Sequence, residues 1–183
     1  MARSVSDDFL HSMRFQVVTD DGGGRPSLAP DGRPEAGFAR CTTPEATVEA
    51  MEYKEGTFIY TRKYPGNPTM ADLSMGRGVA RRDASFWNWV RIIMEGSGEY
   101  RQNLLIKHFH REEALTRGVG DAAGAVNITN FPVDAAPART YKVFQAFPIR
   151  HKVAADLDAT DAAISIMEID FAFEYFEIEE AAA

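Results

Sequence analysis

At 183 residues, 45% of them hydrophobic and 26% charged, the chain has the length and balance of one folded domain able to bury its own core. Its 27 acidic and 20 basic residues leave a net charge of -7. That argues against a dedicated nucleic-acid binder, whose footprint is a basic surface that displaces counterions from phosphates, but not against an acidic wall past which nucleic acid slides.

Met1 to Asp8 is polar and carries Asp7 and Asp8, which is unlike a signal peptide. No later stretch approaches the roughly 18 apolar residues of a membrane span. A protein made and folded in a cytoplasm is therefore expected. The chain then opens with a Phe-rich strand, Met13 to Val18. Asp20 to Pro34 (DDGGGRPSLAPDGRP) is a loop rich in Gly and Pro, and its Gly22-Gly23-Gly24 lacks the Lys and Ser or Thr that complete a phosphate loop. Cys41 is the single cysteine. With no partner for a disulfide or a CxxC metal site, it reads as a small buried side chain.

Period-two alternation then predicts strands. Thr47, Glu49, Met51 and Tyr53 share one face and Val48, Ala50 and Glu52 the other. A hairpin-like stretch from Tyr53 to Asn67 carries Lys54, Glu55, Arg62, Lys63 and Tyr64, with few core positions beyond Phe58 and Tyr60. Thr69 to Arg77 alternates again, and Gly76-Arg77-Gly78 is too short to mark a nucleotide fold. A helix follows, with Asp83 as the expected N-cap. Phe86, Trp89, Val90 and Ile93 fall at i, i+3, i+4 and i+7, with Met94 extending the stripe, and Gly96 is placed for a left-handed C-terminal cap. His108 and His110 would share one side of a strand, as metal ligands near Glu112 and Glu113 or as a solvated face. His11 and His151 stand alone.

Arg117 to Ala138, rich in Ala and Gly, is a second loop. The 20–34 and 117–138 segments read as insertions within a single domain spanning 1–183. Tyr141 to Ile149 forms another strand face, ending near Pro148. Ile164 to Ile178 reads as one long strand: Met167, Ile169, Phe171, Phe173 and Tyr175 make a greasy face, and Glu168, Asp170 and Glu174 lie on the acidic side. One helix among six or seven strands predicts a mainly β fold, a sandwich or barrel with the helix flanking it. No Ser lies in a GxSxG elbow, and the acidic strand face accounts for Glu168, Asp170 and Glu174 without catalysis. No enzyme, metal or cofactor is expected.

Several motifs occur in a suggestive order: Gly37-Phe38-Ala39-Arg40-Cys41, Glu52-Tyr53-Lys54-Glu55-Gly56, Lys63-Tyr64-Pro65-Gly66, Leu73-Ser74-Met75-Gly76, the helix around Trp87 and Trp89, and the Glu-rich closing strand. This succession resembles the tail tube proteins of contractile-tailed phages and contractile injection systems, from about Phe9 to Glu179. That family shows a G-F turn, an E-Y-x-E-G strand end, a K-x-P-G hairpin, an L-x-x-G strand and a Trp-containing helix. It is related in fold to the type VI secretion tube protein. Met75-Gly76 departs from the pattern, which has a Lys or Arg there, and the two insertions look longer than usual.

The resemblance implies hexameric rings stacked into a tube inside a contractile sheath, with sheath and baseplate as partners and DNA or an effector as cargo. Assembly would take place in the cytoplasm and end in a virion tail or injection particle. Alternatives are a baseplate initiator or terminator ring, or a β-barrel binding a small ligand or flavin, for which the aromatic content and Trp87 would speak. Under the main reading, Tyr53, Lys54, Glu55, Arg62, Lys63 and Tyr64 are expected at inter-subunit contacts, and Phe86, Trp89, Val90 and Ile93 pack the helix on the sheet. Glu168, Asp170 and Glu174 are expected in the lumen or at an interface, paired there with Arg77, Arg81 or Arg91.

Overall fold

The computed structural model describes residues 10, 12–20, 37–79, 83–96, 99–109, 137–155, 157 and 163–180. Met1–Asp8, His11, Arg81, His110, Glu112, Glu113 and nearly all of the 20–34 and 117–138 segments lie outside the described residues. In chain order the elements are β1 (Phe15–Thr19), β2 (Arg40–Cys41), β3 (Ala46–Tyr53), β4 (Arg62–Met70), β5 (Leu73–Gly78), α1 (Ser85–Met94), β6 (Gln102–His108), β7 (Arg139–Lys152), β8 (Ile166–Ala172) and β9 (Tyr175–Glu180).

Every strand pair is antiparallel. The seven-stranded sheet runs β1-β6-β7-β8-β5-β2, with β9 also on β7, and β3 and β4 form a separate two-stranded sheet. Its spine is a long ribbon. The first half of β7 pairs with β9 (Arg139↔Glu180 through Phe144↔Tyr175) and the second half with β8 (Phe147↔Ala172 through Lys152↔Glu168). β6 and β1 are added along one half of this ribbon, β5 and β2 along the other. The two ends of the order, β1 and β2, do not pair, so the expected barrel does not close among the described residues.

The ribbon is bent in the middle. Gln145 takes φ 56°, a left-handed conformation that costs a non-glycine residue, and the register with β6 slips between Gln102 and Leu104. Such a bulge bends its strand and re-aims the residues beyond it. The partner strand breaks at the same level, between Ala172 and Tyr175, where the Glu174 amide donates to the Phe144 carbonyl at 3.2 Å. The long closing strand expected from alternation is thus two strands, because it must follow the bend of β7. Met167, Ile169, Phe171 and Phe173 are buried as one face, but Tyr175 is exposed and Phe176 turns inward instead. Pro148 does not end its strand. β7 continues to Lys152, with a second register shift between Pro148 and Arg150.

Bending lets both halves of the sheet share one hydrophobic cluster. Val17, Leu104, Ile106 and Val143 come from one half, Leu73, Met75, Met167, Ile169 and Phe171 from the other, and Phe86 and Trp89 from α1. The Trp89 indole N–H donates to the Tyr100 carbonyl at 2.6 Å, which satisfies the one polar atom it carries into the core. Val90 and Ile93 are half-buried on the same side, whereas Met94 is 72% exposed and does not extend the stripe. Gly96, at φ +70°, donates its amide to the Ile93 carbonyl at 3.1 Å, the left-handed helix end that the sequence predicts. The other end differs from expectation. The N-cap position is Ala84, no side chain caps the helix, and Asp83 is engaged elsewhere.

The β3–β4 hairpin carries alternation without burial. All eight residues of β3 are exposed, because no second layer covers either face among the described residues. The expected alternation through Thr69 to Arg77 is interrupted at Ala71-Asp72, where the chain leaves the hairpin for the main sheet.

Candidate assembly surfaces

Three surfaces are built by these elements: the uncovered hairpin, the open strand edges and the outer face of β8. The hairpin pairs Ala46–Tyr53 with Arg62–Met70, and a register shift between Val48 and Ala50 increases its twist. Gly66 belongs to this shift, since a Cβ there would stand 2.8 Å from the Glu49 carbonyl oxygen. Tyr53, Lys54, Glu55, Arg62, Lys63 and Tyr64 are brought together at and beside the turn. Lys63 pairs with Glu52 at 3.2 Å and Arg62 with Glu55 at 3.4 Å, while the Arg62 guanidinium lies 5.0 Å from the Phe58 ring centroid. Phe58 and Tyr60, expected as core positions, are exposed. Ile59 between them is 90% exposed, and Val48, Met51, Tyr53 and Tyr64 are also uncovered. The turn thus presents an apolar cluster within a ring of charge. The sequence reading missed Ile59, although the run Phe58-Ile59-Tyr60 beside a charged turn was the available signal.

Among the described residues, the sheet's lateral edges are β1 and β9 in one half and β2 in the other. β9 is almost wholly exposed, and two of its carboxylates, Glu180 and Glu179, reach back to Arg139 and Lys142 of β7. The backbone groups of a strand edge are a template for another chain.

On the outer face of β8 the carboxylates find partners inside the chain, but not the ones expected. Glu168 pairs with Arg40 and, at 3.3 Å, with Arg150; Asp170 pairs with Arg150 at 2.8 Å; Glu174 pairs with Arg101. Register explains the longest reach. Arg40 lies opposite Gly76, and Gly76 opposite Glu168, so the Arg40 side chain crosses β5 over a residue without a Cβ. A Cβ on Gly76 would stand 2.9 Å from the Arg40 Nε. Burial raises the pKa of Asp170, but hydrogen bonds from Arg150 and Ser74 and the charges of Arg150 and Arg40 outweigh it, holding the group below the usual carboxylate range. Arg91 pairs instead with Glu95 at 3.4 Å within α1. Arg77 is buried, 2% exposed, against Asp83 at 1%. This face is therefore charge-balanced, not a free acidic wall.

Among the described residues, the remaining candidates form no reactive constellation. Burial pushes the Cys41 thiol up to about 12, so it stays neutral. It lines a cleft of about 140 Å³ with Phe15, Ile106 and Tyr141, where the two ends of the sheet face one another. His108 lies on β6 opposite Arg139. Among the described residues no three His, Cys, Asp or Glu side chains are grouped to hold a metal, and no helix is long and apolar enough to cross a membrane.

Comparison with known proteins agrees with the ordering of motifs. No curated protein sequence gives a match. A chain of the PVC sheath–tube complex, from an extracellular contractile injection system in its extended state, shares the fold at TM-score 0.69 and 17% identity, over 97% of this chain and 95% of that one. A chain of the anti-feeding prophage cap structure, a tube-terminating cap, gives TM-score 0.68 and 18% identity over 99% of this chain and 95% of that one. A crystallised Hcp protein is more distant, at TM-score 0.50 and 11% identity over 92% of each chain. The family model of the T4-like virus tail tube protein gp19 matches residues 11–177. The chain belongs to the T4-like virus tail tube protein gp19 family.

Proposed function

We propose that this chain is the inner-tube subunit of a contractile tail or injection system, acting as a single domain over its whole length. Six copies close a ring, and rings stack into a tube inside a contractile sheath. Sheath and baseplate proteins are its partners, and DNA or an effector passes through the lumen. Subunits assemble in the bacterial cytoplasm and end in the virion tail or injection particle. The function is structural, with no reaction to catalyse.

The observation that carries this reading is the uncovered hairpin. A two-stranded ribbon alone is marginal in water, yet β3–β4 and its turn leave Met51, Tyr53, Ile59 and Tyr60 exposed, with no second layer against them among the described residues. Contiguous apolar surface of this kind marks an interaction site. The hairpin and the open edges β1 and β9 are different surfaces, so the contacts they support are heterologous. One such contact closes a ring and a second continues it as a filament. Obligate contacts of this kind bury about 2,000 Å² or more per pair.

The mass of the purified protein against concentration tests the proposal. A discrete species near six times 20.3 kDa, followed by much larger ones, is expected; a monomer at every concentration would contradict it. The cap of the anti-feeding prophage has the same fold, so copy number distinguishes the roles within a particle. A bulk tube subunit is present many times per particle, a terminator or initiator as a single ring.

A further inference from the structure

His151 takes no part in the surfaces described above, yet it occupies an unusual place. On β7 it stands in register with Ile169, a core residue of β8. Its ring meets the Phe86 ring edge-on, with centroids 5.8 Å apart and planes at 89°. Phe86 is the residue through which the first turn of α1 enters the core. The Arg77 guanidinium lies 4.1 Å from its ring centroid, and Phe38 stacks on it at 5.9 Å. Arg77 in turn holds Asp83 and the Ser85 hydroxyl, and Ser85 donates to Asp83 at 2.9 Å. Both ring nitrogens of His151 and the second carboxylate oxygen of Asp83 are buried without a hydrogen-bond partner among the described residues.

We propose that His151, set against Phe86 beside the buried Arg77–Asp83 pair, is a proton-sensitive latch for α1: neutral, it packs under the helix; protonated, it releases the helix from the sheet. The charges around it are few. Arg77 faces it from β5 and Asp83 from the segment before α1. The buried face of α1 offers Phe86 and Trp89, and that of β8 offers Met167, Ile169 and Phe171, none of which titrates. Its chain neighbour Arg150 is committed to Glu168 and Asp170 on the outer face, and Lys152 lies opposite Glu168. A proton on His151 thus adds a second cation to a buried site whose one carboxylate already answers Arg77.

Burial pushes the His151 imidazole below its ordinary value of 6.5; the Arg77 charge adds to this, and Asp83 opposes it in part. The undocked form therefore takes up the proton more readily than the docked one. The stabilisation from neutral His151 is complete above about 6.5 and is lost as pH falls toward its depressed value in the folded protein. Across that window the opening constant of α1 rises by up to about tenfold per pH unit, the slope of a single proton. Release would uncover Phe86 and Trp89 while leaving the sheet paired.

Hydrogen exchange of the assembled protein, followed by mass spectrometry and corrected for the intrinsic effect of pH, reads this directly. Between about pH 7.5 and pH 5.5, a span that brackets the ordinary histidine value, exchange across 85–94 should quicken in the wild type while 102–108 stays protected. His151→Phe, which retains an aromatic ring but cannot be protonated, should remove the acid response. If it does not fold, His151→Gln, neutral throughout, takes its place in the same comparison. An acid response of α1 that is unchanged in the variant, or an α1 whose protection does not change with pH in the wild type, would overturn the proposal.

Discussion

Arg77 and Asp83 set the energetics at the smallest scale. Each is nearly inaccessible, and an ion pair taken from water is stabilising only while both partners remain. Burial lowers the pKa of Arg77 and the nearby Asp83 charge opposes that shift, leaving the guanidinium charged at any ordinary pH. Asp83→Ala should therefore cost about 3–5 kcal/mol by stranding the cation, and the double variant Arg77→Met/Asp83→Ala should recover most of it; equilibrium denaturation of the three proteins reads both numbers. Trp89→Ala should cost a similar 3–5 kcal/mol through the cavity it leaves, and a midpoint shift of only a degree or so would mean that the helix is not packed as described. Trp89 was legible in the sequence, because helical spacing marks an apolar stripe. Asp83 was not. Its position before Ser85 and Phe86 fits a cap, and only the register that sets Arg77 of β5 opposite the buried Met167 turns its carboxylate away from the helix amides.

Elements differ in how far their pattern reveals their surroundings. α1 and the buried face of β8 were legible, since both press one periodic face on the core. β3 alternates equally well and buries nothing: alternation reports a pleated strand, whereas burial depends on a second layer that a single strand's pattern does not encode. The break between β8 and β9 was illegible for a related reason, because its cause is the bend at Gln145 in another strand. Among the charged residues, the acidic run from Glu168 to Glu174 could be read, but its partners Arg40, Arg101 and Arg150 lie 18 to 128 positions away in sequence and meet it only through sheet register.

The hairpin's separateness leads to a prediction at this scale. Arg62→Glu with Lys63→Glu removes two exposed pairs, each of a kind worth at most about 1 kcal/mol, and should leave a soluble, folded protein that no longer polymerises. Normal tubes from that double variant, seen by light scattering, would remove the hairpin from the interface. Gly66→Ala forces the backbone at Glu49 to move, so it should slow assembly, while the hairpin's place outside the core should keep the melting of the main sheet near that of the wild type.

In the whole molecule, two kinds of surface stay uncovered among the described residues: an apolar hairpin outside the core and strand edges on a bent sheet. Membership in the tail tube family agrees with them, and the charge-balanced face of β8 changes one expectation about the assembly. Its carboxylates are already paired within the subunit, so growth should depend on the hairpin and the edges more than on the acidic strand. Negative-stain electron microscopy of the purified full chain across a concentration series tests this most directly. Rings with a central channel at low concentration, stacking into tubes of the same diameter as concentration rises, are the predicted result. Uniform single particles the size of one subunit at every concentration would contradict it.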